Sequence, residues 1–301
     1  MLIEGKTMPN RSYAELPSFY VYAEARQLDA RRATPYPLEV YDITYMHFHS
    51  ALELGVCMSG RGTCIVEGRE YAFCEGDVQV IFPFQRHLSR SEGGGYSQWI
   101  WTYVNPLKQL GEWGVPDMPR LERLLYTHMA LCGIIDRVRH PLAAELVRRV
   151  TLPGEASARL ACLHALIEEL AAESAGLKAL ALRPEHAFVR LEPALRHVQQ
   201  ALDSGSAPAV SDMARACAMS PATLRREFVR VMGRSPRRYI QSCQLQKAGR
   251  LLLMSGEAIT QIAQEVGYQD VSGFNRAFMS AFGVTPREYR RLGGVSPEGE
   301  A

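Results

Sequence analysis

The run Ser220-Pro-Ala-Thr-Leu-Arg-Arg-Glu-Phe228, followed by Gly233-Arg-Ser-Pro-Arg-Arg-Tyr239, returns fifty residues later as Asp270-Val-Ser-Gly-Phe-Asn-Arg-Ala-Phe278 and Gly283-Val-Thr-Pro-Arg-Glu-Tyr289. Arg226 matches Arg276, Phe228 matches Phe278, and Gly233, Pro236 and Tyr239 match Gly283, Pro286 and Tyr289. A pattern repeated at fixed spacing marks one supersecondary unit used twice. Each copy reads as a helix-turn-helix. Val210 to Ala218 gives a short first helix, with Met213, Ala214 and Cys217 on its apolar side. Ser220 is a good N-cap, and Pro221 suits the first helical position. Leu224, Phe228 and Val231 recur at helical spacing and mark a buried face. Gly233 then stops the helix, as a glycine past the C-cap does. In the second copy Ile259, Ile262, Ala263 and Val266 form the supporting helix, Gly267 makes the turn and Asp270 caps. Phe274, Phe278 and Phe282 pack the next helix inward.

The residues outside those stripes carry the chemistry. They are Thr223, Arg225, Arg226 and Arg230 in the first copy, and Ser272, Asn275 and Arg276 in the second. A guanidinium can bond guanine bidentately, and a capped helix N-terminus such as that at Ser220 can hold a phosphate. Two such units about one turn of duplex apart could read successive major grooves from one face. A helical bundle with a solvated basic face would explain one copy. Matched arginines and matched glycine stops are harder to explain that way.

On these residues, and on the run Ile259-Thr-Gln-Ile-Ala-Gln-Glu-Val-Gly-Tyr268, the last third of the chain resembles the DNA-binding domain of the AraC/XylS family of bacterial transcription regulators. The resemblance implies seven helices, with a long joiner over about Pro236 to Met254. It implies base contacts at Ala222, Arg225 and Arg226, and at Ser272 and Arg276. Ala222 can offer only apolar contact, for instance to a thymine methyl. Promoter DNA and RNA polymerase are the implied partners, activation is the implied outcome, and the cytoplasm is the implied compartment. Two positions depart from the family pattern: Gln244, where an arginine is usual, and Gly249 inside the joiner, at a cost of about 1 kcal/mol relative to alanine. Neither is groove-facing.

The net charge of +2 is unevenly spread. Residues 184–291 carry 15 Lys and Arg against 9 Asp and Glu, whereas residues 1–183 carry 19 against 21. The basic surplus coincides with the repeated unit, which is the footprint that nucleic-acid binding requires. The seven cysteines form no C-x-x-C pair and are odd in number, so they read as small buried residues in a reducing cytosol. There is no run of eighteen apolar residues and no basic-then-apolar leader, so neither a membrane span nor a secretory signal is expected.

From Glu39 to about Pro106 the pattern switches to period two. Ile43, Tyr45, His47 and His49 alternate, Leu52 to Met58 is a second run, and Thr63 to Val66 and Tyr71 to Phe73 flank a Glu67-Gly68 turn. Val78, Val80 and Phe82 make another strand, and Trp99, Trp101 and Tyr103 share one face of a further one. Many short strands with glycine turns argue for a sandwich or small barrel. Within it lie His47-x-His49-x-x-x-Glu53, Gly60, Gly76-Asp77, Pro83 and His87. This set resembles the two cupin motifs, the second in part, since Pro83-Phe84-Gln85 stands where Pro-x-Gly is usual. Positions 47, 49 and 53 have equal parity, so on one strand all three would point to one side. With His87 they give three imidazoles and a carboxylate, which suits Zn, Fe, Mn or Ni. The same four residues suit a small-molecule effector without metal, or mere hydrogen bonding among themselves. Trp99 and Trp101 read as core or as a platform for a sugar or small apolar effector.

Pro119 starts a helix through Leu131, and Pro141 starts another through Val150. Ala156 to Ser174 carries Leu160, Leu163, Ile167 and Leu170 at three-four-three spacing, a seam fit for a partner helix and hence a homodimer, or for packing on the barrel. The expected layout is α+β and multidomain. A cupin-like effector-binding β-barrel covers 1–115, beginning with an arm and edge strand to about Leu38. A helical dimerisation segment covers 116–175 and a linker 176–186. An all-α domain with two helix-turn-helix units covers 187–292, and a disordered tail covers 293–301. The expected activity is regulation of transcription, without catalytic residues. A metal-responsive regulator, or a metal-dependent cupin enzyme fused to a DNA-binding domain, are the alternatives.

Overall fold

A computed structural model describes residues 19–20, 36–38, 46–92, 97–127, 132–174 and 185–292. Most of the expected arm, most of the linker and the tail lie outside them. The chain divides into two compact units, the first reaching Glu185 and the second running from His186.

The first unit begins with nine strands: β1 (Phe19–Tyr20), β2 (Tyr36–Leu38), β3 (His47–Phe48), β4 (Leu52–Ser59), β5 (Arg61–Val66), β6 (Arg69–Cys74), β7 (Val78–Ile81), β8 (His87–Ser91) and β9 (Ser97–Val104). Helices α1 (Pro106–Glu112) and α2 (Met118–Thr127) follow, then β10 (Gly133–Ile135), α3 (Pro141–Thr151) and α4 (Ala156–Ser174). One sheet has the order β1-β3-β8-β5-β6 and the other β10-β7-β4-β9-β2. Glu67 and Gly68, both at positive φ (47° and 82°), close the two-residue hairpin between β5 and β6. That is the turn whose twist matches the flanking strands.

The second sheet is buried on both faces, which is why β4 shows no alternation of buried and exposed residues. Its Leu54, Val56, Val78 and Val80 face away from Glu53 and Gly55 by register, and α3 covers that side with Ala143, Val147 and Val150. Leu163, Ile167 and Leu170 of α4 are at most 2% exposed and belong to this same core. Three of the four seam residues are therefore covered by their own domain and offer no face to a partner helix, while Leu160 is half-buried against the same core. Apolar spacing cannot tell a neighbouring chain from a neighbouring layer. The expected separate segment over 116–175 is part of the first unit. The cysteines divide: Cys57, Cys64 and Cys132 are buried, Cys162, Cys217 and Cys243 half-buried, and Cys74 is exposed.

The second unit contains α5 (Glu185–Asp203), α6 (Val210–Ala216), α7 (Pro221–Met232), α8 (Pro236–Met254), α9 (Ile259–Glu265), α10 (Val271–Phe282) and α11 (Pro286–Arg291). These are seven helices among the described residues. Helices α7 and α10 end on Gly233 and Gly283, which take the left-handed conformation at φ 67° and 72°. A methyl group at Gly249 would meet Tyr289 and Phe282 at ordinary van der Waals distance (3.5–3.6 Å), so no steric need explains that glycine.

Candidate functional site

His47, His49, Glu53 and His87 come together, with one ligand atom from each lying within 4.8 Å of the others. All four are buried, from 1% to 8% exposed. They meet for a different reason than equal parity on one strand. His47 opens β3, the chain crosses between the sheets over His49 to Ala51, and Glu53 lies on β4 of the opposite sheet. His87 opens β8 directly opposite His47, and their rings stand 4.0 Å apart. The four side chains thus bridge the sheets. The turn before His87 is held by Phe84, at φ 64°, whose N–H donates to the His49 carbonyl at 2.7 Å. Gln85 stabilises the same turn by accepting from the Phe82 N–H at 2.8 Å.

The tautomers follow from the partners. His49 Nδ1 lies 3.0 Å from the Ala51 carbonyl, and His87 Nδ1 lies 2.9 Å from the Gln85 carbonyl. A carbonyl oxygen only accepts, so both Nδ1 atoms carry hydrogen and donate. In the neutral rings each Nε2 then presents a lone pair. Both Nε2 atoms face one atom, Glu53 Oε2, at 2.7 Å from His49, within hydrogen-bond distance, and 3.2 Å from His87. The second approach makes no hydrogen bond. Burial pushes the His49 pKa below its ordinary value, outweighing the hydrogen bond to Glu53. Burial acts to raise the Glu53 pKa, but the positive charge that His87 carries when protonated and the hydrogen bond from His49 outweigh it and hold the carboxyl well below its usual range. Two Nε2 atoms facing one ionised carboxylate need positive charge between them, either a proton on the ring or a metal ion. The pinned Nδ1–H bonds are also what orients imidazoles that hold metals.

The two tryptophans divide. Trp99 is fully buried, donates Nε1–H to Ser97 Oγ at 3.2 Å, and meets Phe73 edge-on, so it packs the core rather than lining an open platform. Trp101 stacks on Trp99 and covers Gly55, where a Cβ would lie 2.3 Å from the indole. Tyr103, read from sequence as sharing a face with the two tryptophans, meets the His49 ring edge-on at 5.4 Å. Sequence reading passed over Gln79, a polar residue inside the apolar run Val78-Gln-Val-Ile81.

In the second unit Ser220, Ala222, Arg225 and Arg226 are exposed at the start of α7, with Thr223 half-buried beside them. Ser220 Oγ accepts from the Thr223 N–H at 3.1 Å. Arg230 sits further along and is drawn onto Glu227 at 2.7 Å. Ser272, Asn275 and Arg276 are exposed on α10, where Asp270 caps by accepting from the Gly273 N–H at 2.6 Å. Arg225 and Arg276 form no ion pair among the described residues.

Comparison with known proteins places both units. Residues 39–186 match the AraC-like ligand binding domain, and residues 213–292 match a helix-turn-helix domain family. The transcriptional activator RhrA of Rhizobium meliloti is 41% identical over 97 residues, 32% of this chain and 30% of that protein. The HTH-type transcriptional activator RhaS of Escherichia fergusonii is 36% identical over 99 residues, 32% of this chain and 36% of that protein. The chain thus spans about a third of the length of these curated relatives. Among solved structures, ToxT from Vibrio cholerae aligns over 87% of this chain and 98% of its own, at 14% identity and a TM-score of 0.47. The two matched domains, in this order on one chain, make the protein a member of the AraC family of helix-turn-helix transcription regulators, with an AraC-like ligand-binding domain ahead of its DNA-binding domain.

Proposed function

We propose that the protein is a sequence-specific regulator that binds promoter DNA through α7 and α10, and that its first unit holds a divalent transition-metal ion on His47, His49, Glu53 and His87 as part of its effector site. The DNA-binding half is supported by the duplicated helix with outward arginines. The ion is carried by one observation: Nε2 of His49 and of His87 converge on the same carboxylate oxygen while both Nδ1 atoms are committed to backbone carbonyls. Three imidazoles and a carboxylate suit zinc, iron, manganese or nickel. When bound, such an ion supplies a buried positive charge to which an oxygen-bearing effector can attach. The effector acts by binding one arrangement of the protein better than another, since equal affinity for both would shift nothing.

The reading is of an activator without enzymatic activity, working with RNA polymerase in the cytoplasm, and RhrA and RhaS are activators by name. A homodimer would have to pair through a surface other than Leu163, Ile167 and Leu170. Elemental analysis of the purified full chain tests the ion: about one equivalent is expected, lost in His49→Ala and in His87→Ala. Gel-shift titration with and without a chelator tests its role. Less than a tenth of an equivalent of any transition metal, after growth in supplemented medium, would remove the ion from the proposal. A chelator that changes DNA affinity with no other ligand present would make the ion itself the effector.

A further inference from the structure

Gln79 stands inside β7, fully buried, and neither its amide oxygen nor its amide nitrogen has a hydrogen-bond partner among the described residues. The register shows why. Its neighbours across the two ladders are Gly55 of β4 and Ile134 of β10. The first has no side chain and the second no polar atom. The space over Gly55 is taken by the Trp101 ring. A primary amide offers an acceptor oxygen and two donors, and burying it with none used loses its hydration for nothing in return. Val78, Val80 and Ile81 around it are all buried and apolar, so an apolar residue would suit the fold better here. The next pair along the same face is Glu53 opposite Ile81. Gln79 is therefore the diagonal neighbour of Glu53, about 7–8 Å away between Cα atoms.

We propose that Gln79 reads the effector, and that the effector is a small hydroxy acid whose carboxylate turns to the His/Glu cluster and whose far hydroxyl bonds the Gln79 amide. This rests on the ion proposed above. A divalent ion faces only one protein carboxylate, so the buried site keeps positive charge, and an anionic oxygen neutralises it. At the other end a hydroxyl both donates and accepts, so it can serve either amide atom, whereas a carboxylate can serve only the nitrogen. The span suits a chain of about three or four carbons, given the diagonal separation on the strand pair.

The test uses the full chain loaded with Co(II), titrated with glycerate and, separately, with lactate, while the visible absorption of the ion is followed. Lactate has the same chelating end and lacks the terminal hydroxyl. Glycerate is expected to bind roughly tenfold more tightly, the value of one well-made hydrogen bond, and Gln79→Met is expected to erase the difference. Without any ligand, Gln79→Met is expected to unfold at a higher temperature than the parent, which a structural glutamine would not do. A variant that melts lower or does not fold assigns the amide to the fold and overturns the proposal. So does equal binding of the two acids by the parent, or a preference that survives in the variant. A chain that takes up no Co(II) overturns the ion and this inference together. One that takes it up and shows no preference overturns this inference alone.

Discussion

Helix α7 buries Leu224, Phe228 and Val231 and hands the chain through Gly233 to Pro236 and the buried Tyr239. Helix α10 buries Phe274 and Phe278 and passes through Gly283 to Pro286 and Tyr289. The ring of Phe228 meets Tyr239 at 5.4 Å, and that of Phe278 meets Tyr289 at 5.3 Å, both edge-on. Outward the two helices differ. The first shows Ala222, Arg225 and Arg226 behind a neutral serine cap, the second Ser272, Asn275 and Arg276 behind a carboxylate cap. Residues that build the unit are repeated because both copies solve one packing problem. Apart from the matched Arg226 and Arg276, the residues that face away differ because packing does not constrain them, as expected if each copy reads its own bases.

The largest expected effects come from breaking what the copies share. Phe228→Ala and Phe278→Ala each remove a fully buried ring and should cost about 3–5 kcal/mol. Denaturant unfolding of the full chain would measure both. A loss under about 1 kcal/mol at either position would show that the matched rings do not do matched work. Next come the outward arginines, matched in place between the copies. Arg226→Ala and Arg276→Ala should each cost about 1–3 kcal/mol of DNA affinity, and each should relax preference at a different base pair. Competition gel shifts with single-base variants of the promoter would show this. If both substitutions relaxed the same base pair, or neither changed binding, the assignment of one set of bases to each copy would fail.

How much was legible follows from the same division. Caps, stops and buried stripes in the second unit lie within a few residues of each other, so spacing alone located them: Ser220, Gly233, Asp270 and Gly283 all take the roles their types suggest. In the first unit the four cluster residues were identifiable by chemical type, but their meeting depends on a crossing between sheets at Ser50 and Ala51 that parity along one strand does not contain. The α4 leucines were ambiguous because apolar burial has no direction in sequence. Strand β10 is three residues long, too short for a period to be read. Helix α1 did carry a start signal, Asn105 capping ahead of Pro106, that was passed over. Gln79 left only a faint mark, one polar residue in an apolar strand, and its lack of partners becomes visible only when Gly55 and Ile134 are seen beside it.

The smallest and sharpest test exchanges the caps. Asp270→Asn keeps a good capping side chain, since asparagine and aspartate rank together at this position, and so should barely change folding. It removes a negative charge from the end of α10 where, on the proposed reading, a phosphate comes close. DNA affinity should rise by about 0.3–1 kcal/mol at low salt, and the gain should fade as salt screens the charge. Ser220→Asp puts that charge on α7 and should weaken binding by a similar amount, with the same salt dependence. Opposite signs would place both helix ends against the DNA backbone. If the α7 exchange alone changed binding, α10 would approach the duplex by its outward face without its N-terminus, and the two copies would differ in docking as well as in the bases they meet.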